Sequence, residues 1–393
     1  MQKEKNVQEN YFQKVISGEK LLSPVQMIIH ADGEHFGRSN EMQLKSVMEE
    51  LSKNTIINLK DISSNYTDIN LVESIRDFKN IELVFADSIP FDVYKKYIKI
   101  SHKSLLDISF DRIIIPIDSE ENAILFVSTE NKRVLEAKVD SGRSKEFFQL
   151  IDSYKSTMIR VTPIVINHTI IYVPANELKI TEKKYFRKII NQKKIEQALF
   201  SDSQNLRQSV SGNVEMISDG VSMMSIFLDS LTMTYVKPVL GNFETLGLSE
   251  KLSRSIDFVN SHAGWDERYR YVTSNGFESS IRFRLFIDNS PVFNNKKMTE
   301  IEVRPGKENI EMYSRPIFYL DFELESPDMK KYTLKSGADV LEQLKQVQGF
   351  QIENLQSLII GYSMEMDDGK NDIVNLVPSW YYKYNGIWNK IEN

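Results

Sequence analysis

Two histidines enclose an acidic turn near the start of the chain, His30-Ala-Asp-Gly-Glu-His35. Imidazole and carboxylate at this density are the chemistry of a zinc site. The same residues also spell an ordinary β-turn, with Asp32-Gly33 joining two strand ends and both histidines at exposed loop edges. The turn is the preferred reading, because the helical His-Glu-x-x-His spacing and any cysteine partner are both missing. His262, near Asp257, Asp266 and Glu267, has the neighbours for acid–base work. It falls just past a helix end, however, where a histidine bonds a terminal carbonyl. Asp367-Asp-Gly-Lys-Asn-Asp372 is superficially like a calcium loop but lacks the alternating ligands and the closing glutamate, so a hairpin turn between Met366 and Ile373 is expected. There is no G-x-S-x-G elbow, no Walker A pattern and no dinucleotide glycine pattern. No catalytic, cofactor-binding or metal-binding residue is therefore assigned.

Two further groups have binding rather than catalytic chemistry. Lys183-Lys184 and Lys193-Lys194 read most simply as solvated strand and helix faces, with anionic lipid or teichoic acid the alternative partner. The aromatic run Leu376-Val-Pro-Ser-Trp-Tyr-Tyr-Lys-Tyr-Asn-Gly-Ile-Trp388 contains a hairpin signal, Asn385-Gly386, which suits a type I′ turn. That turn sets Tyr384 opposite Ile387 and Tyr382 opposite Asn389. Trp380, Tyr382 and Tyr384 then share one face, and Tyr381, Lys383 and Trp388 the other, where Lys383 can lie over the Trp388 ring. A strand this aromatic on both faces is expected inside a sheet. Trp388, beside the turn and the chain end, is the candidate for contact with a partner.

The elements that must hold these residues follow from composition and periodicity. A chain of 393 residues is expected to form about two or three domains. A net charge of −6 argues against a nucleic-acid surface. Cysteine is absent, which removes disulfides and thiolate chemistry. No run reaches the roughly 18 apolar residues of a spanning helix. Residues 1–18 read as a leader helix. Residues 19–157 form an N-terminal α+β domain, in which Leu44, Val47, Met48 and Leu51 mark an amphipathic helix and 91–100 another. Pro116 suggests that the strand 112–117 is an edge or carries a bulge. A central domain, 158–245, opens with a hairpin around Asn167-His168 and contains one long strand over 222–235. A C-terminal domain covers 246–393. Strand, short helix and hairpin recur in 183–236 and 317–388, so these two domains read as related copies. The fold class is α+β, three domains in series with predominantly antiparallel sheets.

Five segments in order, Ile256–Trp265, Phe283–Phe293, Thr299–Arg304, Leu358–Met366 with its Asp-Asp-Gly turn, and Leu376–Trp388, are similar to the YycH family. Ala263 stands where a second glycine is usual, and Ser363 where an acidic residue is usual. The resemblance implies related central and C-terminal domains. It also implies a non-enzymatic regulator of an essential cell-wall two-component system in low-GC Gram-positive bacteria. Its expected partners are YycI and the sensor histidine kinase WalK (YycG), and it needs no cofactor. It implies the outer face of the cell membrane, with an N-terminal membrane helix preceding the soluble part. The rival readings are a cell-surface module for wall polymers and a metal-dependent hydrolase at His30/His35.

Overall fold

The structure, a computed structural model, describes residues 14–66, 75, 77–100, 108–117, 122–140, 145–166, 169–203, 205–238, 246–275, 279–366 and 372–392. Most of the expected leader helix, the Asn167-His168 turn and the Asp367–Asn371 turn lie outside them. The first ten strands build one sheet: β1 (Gln26–Ala31), β2 (Glu34–Gly37), β3 (Thr55–Asp61), β4 (Asn80–Pro90), β5 (Lys99–Ile100), β6 (Ser109–Pro116), β7 (Ala123–Ser128), β8 (Arg133–Val139), β9 (Ile159–Ile166) and β10 (Thr169–Pro174). They lie in the order β10-β9-β2-β1-β4-β6-β7-β8-β3-β5, antiparallel except for β3 with β5.

Local chemistry accounts for the pieces. Asp32 and Gly33 both take positive φ (54° and 76°), which makes the tight turn that pairs His30 with His35. The helix Glu41–Lys53 starts with a capping box: Asn40 Oδ1 accepts from the Gln43 N–H (2.9 Å) and Gln43 Oε1 accepts from the Asn40 N–H (2.8 Å). Leu44 and Val47 are buried on its inner side. Pro116 is at neither an edge nor a bulge. It ends β6, a central strand, beyond the last residue that pairs with β7, so its missing N–H leaves no ladder bond unmade there. The helix expected over 91–100 stops at Tyr94 and gives way to β5.

This sheet is buried on both faces. Met27, Ile29, Ile81, Leu83, Ile113 and Ile115 enter the main core, and Ile28, Ile114, Val127, Val161, Ile170 and Tyr172 form a second, smaller one. Buried charge sits within the smaller core. The Glu82 carboxylate, wholly inaccessible, receives Arg112 Nη1 on one oxygen. Its other oxygen receives the Tyr172 hydroxyl (2.7 Å) and His30 Nε2 (3.0 Å). Arg112 Nη2 also donates to the Ile170 carbonyl (3.0 Å). Strands β9, β2 and β1 separate β10 from β4 in the sheet, yet β10 is bonded to Glu82 and Arg112. The network therefore closes the curl of the sheet. Burial alone would raise the Glu82 pKa; the Arg112 charge and the bonds from His30 and Tyr172 overcome it and hold the carboxyl at about 2. The same carboxylate, with Asp111, raises Arg112 against the effect of burial.

The rest of the chain forms a two-stranded sheet and a fourteen-stranded one. The small sheet is β11 (Leu178–Thr181) with β23 (Lys331–Leu334). The large one holds β12 (Lys183–Ile189), β13 (Arg207–Ser211), β14 (Val214–Ser218), β15 (Met223–Phe227), β16 (Thr232–Val236), β17 (Tyr269–Asn275), β18 (Ser280–Ile287), β19 (Ser290–Phe293), β20 (Glu300–Pro305), β21 (Ile310–Pro316), β22 (Phe318–Leu324), β24 (Leu355–Met366), β25 (Ile373–Tyr384) and β26 (Ile387–Lys390). Its longest ladder joins β24 to β25, from Leu355 opposite Tyr384 to Met366 opposite Val374. Residues 183–236 and 269–390 share this sheet, because β12 lies between β25 and β22, and β16 pairs with β21. The hairpin assigned to the opening of the central segment belongs to the first sheet, since Phe36 and Gly37 of β2 pair with Arg160 and Ile159 of β9. The single strand expected over 222–235 is two, β15 and β16, divided by a turn through Asp229-Ser230.

The two large sheets are packed together. The segment Lys14–Ile16 is tied to the helix Leu248–Ser261: Asn260 accepts from the Ile16 N–H (3.0 Å) and donates to its carbonyl (3.1 Å). Gly337, which opens the helix Gly337–Lys345, lies so close to β10 that an added Cβ would be 2.2 Å from Val173 Cβ.

Replacing Glu82 with Gln is expected to cost about 3–5 kcal/mol, because it strands a buried guanidinium. Urea denaturation checks this. The folded-state pKa of Glu82 lies below its ordinary 4.5, so its contribution is complete above that value and is lost as pH falls toward about 2. The variant should lose that part of the acid dependence. A second expectation concerns Ala263, which ends the helix Leu248–Ser261 with φ at 82° beside Gly264 at 69°. Ala263→Gly relieves a left-handed alanine and should stabilise the fold by about 1 kcal/mol, read as a raised melting temperature.

Candidate functional site

The His30/His35 turn is where the sequence placed its densest ionisable cluster. The structure corrects the expected exposure: His30 is 1% exposed. Its Nδ1 lies 2.8 Å from His35 Nδ1 and its Nε2 faces Glu82, so both ring nitrogens are engaged. Tyr172 of β10 folds over the pair, with ring centroids 5.6 Å from His30 and 6.2 Å from His35. The curl of the sheet, invisible in a local turn motif, is what buries His30. Among the described residues, no group of three or more His, Asp or Glu side chains is placed to hold a metal. His262 caps its helix as its position suggested. Nδ1 lies 2.8 Å from the Phe258 carbonyl and the ring stacks on Phe258 at 4.0 Å. Burial lowers its pKa, against the pull of that carbonyl.

The lysine pairs divide. Lys193 and Lys194 are exposed. Lys183 instead bridges Asp288 (3.0 Å) and Glu323 (2.9 Å), and these two carboxylates raise its pKa against its partial burial. It holds β12 beside β22 rather than forming a basic surface.

A cleft of about 320 Å³ lies between the curled edge of the first sheet and the β18–β19 and β24–β26 region of the large sheet. Cavities between packed units are where ligand sites concentrate. Trp388 lies in its wall. Asn385 and Gly386 take positive φ (49° and 81°), and the resulting turn pairs Lys383 with Trp388 as the spacing required. Trp380 and Tyr381 are buried, at 2% and 4% exposed, as expected of an internal strand, whereas Trp388 is half-buried. The cation found over the Trp388 ring is Arg284, at 5.8 Å, and not Lys383. Arg284 also covers Phe293 at 4.3 Å and is paired with Glu300. Phe293 in turn stacks on Tyr381 at 3.9 Å.

On the opposite wall are Asp111 and Arg112. Burial raises the Asp111 carboxyl, although Arg112 and the Thr129 N–H and hydroxyl (both 2.7 Å) oppose the rise. Arg38 and Ser39 lie where β2 leads into the helix Glu41–Lys53, against the Asp288-Asn289 turn, whose Asn289 side chain donates to the Ser39 carbonyl (3.1 Å). None of these residues was singled out in the sequence. A charge inside an apolar run, as with Glu82 in Ile81–Phe85 and Arg112 before Ile113–Ile115, was the available signal. Arg38 and Ser39 carried none, since their setting depends on residues some 250 positions away.

Similarity to known proteins agrees with this architecture. The YycH protein N-terminal domain matches residues 1–156, and the YycH protein C-terminal domain matches residues 168–393. The two-component system WalR/WalK regulatory protein YycH of Bacillus subtilis (strain 168) is 23% identical over 378 residues, which span 92% of this chain and 82% of that protein. The crystal structure of YycH from Bacillus subtilis shares the fold, with a TM-score of 0.83 at 22% identity over 98% of this chain and 99% of that one. With both domain families matched along nearly the whole sequence, and their α+β, largely antiparallel fold shared, the chain belongs to the YycH family.

Proposed function

We propose that the protein is a non-enzymatic accessory regulator of the sensor histidine kinase WalK, acting with YycI at the outer face of the cell membrane. The observation that supports this most is the relative matched along nearly the whole chain, which is named as a WalR/WalK regulatory protein. The chemistry of the described residues is compatible with it. The buried charged groups Glu82, Arg112 and Arg284 are committed to one another or to Glu300. Regulation by docking also needs no reactive group. A membrane helix preceding this sequence would confine the protein to the membrane of the kinase, and at the resulting effective concentration weak contacts suffice. To change kinase output, the complex must favour one kinase state over the other, since equal affinity shifts nothing. No helix among the described residues is long and apolar enough to cross a membrane, so in this reading anchoring belongs to the segment before them. Trp388, half-buried in the cleft wall, is the side chain proposed to contribute to partner contact.

The test is co-purification of the anchored protein with WalK and YycI from membranes. Both should be recovered, recovery should fall when the anchor is removed, and Trp388→Ala should weaken it several-fold. Phosphorylation of WalR that is unchanged after deletion of the gene would refute the regulatory reading.

A further inference from the structure

The ends of the two large sheets differ in how their edges are protected. In the first sheet, β5 is two residues long and carries Lys99, and β10 is drawn back into the Glu82 network. At one end of the large sheet, β22 carries Asp321 and Glu323. Short length and charge are devices that stop one strand edge from pairing with another. The opposite end of the large sheet lacks them. There β13 pairs, among the described residues, with β14 alone. All five of its residues are exposed, and Arg207-Gln-Ser-Val-Ser211 holds one charge, at its first position. Its ladder to β14 runs without a bulge from Arg207 opposite Ser218 to Ser211 opposite Val214. Val210 is 68% exposed.

The direction of the backbone groups of β13 follows from its neighbours. The Leu228 N–H donates to the Asn213 carbonyl (2.9 Å), which makes Val214 and Phe227 a pair that exchanges no bonds of its own between β14 and β15. The N–H and carbonyl of Val214 therefore turn the other way, to Ser211, across the two-residue turn that Gly212 opens at φ 58°. Alternation along β13 then gives Ser211, Ser209 and Arg207 to β14. It leaves the N–H and carbonyl of Gln208 and Val210 pointing outward. No other group among the described residues bonds to these two residues.

We propose that β13 pairs with β13 of a second copy of this chain, antiparallel about a two-fold axis at Ser209, so that the large sheet continues from one molecule into the other. In this register Gln208 of each copy lies opposite Val210 of the other, and these are the residues with outward donors and acceptors. Ser209 meets its own counterpart in a pair without mutual bonds, with Cα atoms roughly 4.5 Å apart. Arg207 faces Ser211, so no like charges are opposed. A two-fold contact requires a surface that complements itself. A strand uncharged at its centre, with its outward bonding residues placed symmetrically about the middle, meets that requirement, and a second copy always supplies the matching edge. A ladder this short falls below the roughly 1,200 Å² of a stable interface. The pairing is therefore weak in dilute solution and favoured where copies are crowded. It does not rest on the kinase reading: self-pairing is measured on the isolated chain and regulation in membranes, so either can fail alone.

The chain has no cysteine, so one introduced thiol reports on one position. Under mild oxidation Ser209→Cys should form a disulfide-linked dimer, because the expected Cα separation suits that bond. Arg207→Cys and Ser211→Cys should each link to themselves about tenfold more slowly, yet link readily to one another when mixed. Lys345→Cys, on the helix Gly337–Lys345, sets the rate of random collision. Val210→Pro removes an outward N–H and no bond to β14, so it should leave thermal melting unchanged. Combined with Ser209→Cys, it should lower linking to the collision rate. Self-linking by Ser209→Cys no faster than that of Lys345→Cys would overturn the proposal and leave the edge to a strand of another protein. Equal self-linking by Arg207→Cys, Ser209→Cys and Ser211→Cys, or linking that survives Val210→Pro, would also overturn it.

Discussion

The ionic bond between Glu82 and Arg112 is the constraint on which the rest of this structure depends. A carboxylate and a guanidinium are taken wholly out of water in the middle of a sheet whose neighbouring residues are isoleucine and valine. Each charge is tolerable only because the other is there, and the pair is completed by Tyr172, His30 and the Ile170 carbonyl. Two of those partners are on β10. The strand that would otherwise hang from the end of the sheet is drawn back over β4 and β6. It supplies one wall of the cleft, and it presents Val173 to the helix Gly337–Lys345. An apolar core of the same volume would bury more surface at less cost, but it would not fix where β10 stops.

What the sequence revealed was local. Asn385-Gly386 and Asp32-Gly33 each require two residues that accept positive φ, and both turns form with the pairing that the two-residue loop dictates. The buried Leu44 and Val47 follow from spacing within one helix. The antiparallel, mixed α+β character was readable from alternating apolar runs between polar turns. Positions whose setting comes from distant chain were not readable. His30 looked like a loop-edge residue because nothing near it in sequence announces that Tyr172 will cover it. The hairpin of β9 and β10 was assigned by proximity to the segment that follows, yet its ladder runs to β2. Periodicity says which face of a strand is wet; it says little about which strand will be its neighbour. The same limit applies to the cleft, whose walls come from both ends of the chain.

The site-level picture is one of chemistry spent on construction. Arg284 is shared among Glu300, Phe293 and Trp388, and Lys183 between Asp288 and Glu323. Groups that elsewhere act on substrates are here bonded to one another in pairs that shape the cleft and its rim. Arg38, Ser39 and Lys383 line the cleft that these pairs shape.

The contact of Gly337 with Val173 has a mechanical consequence. Where two packed bodies meet through flexible side chains, small tilts of one are absorbed by rotamer changes and never reach the other. At this point there is no such cushion: backbone presses on a branched side chain at close to the limit of approach. A tilt of the helix Gly337–Lys345 should therefore be conveyed to β10 without slack, as motion passes between meshed teeth rather than through a spring.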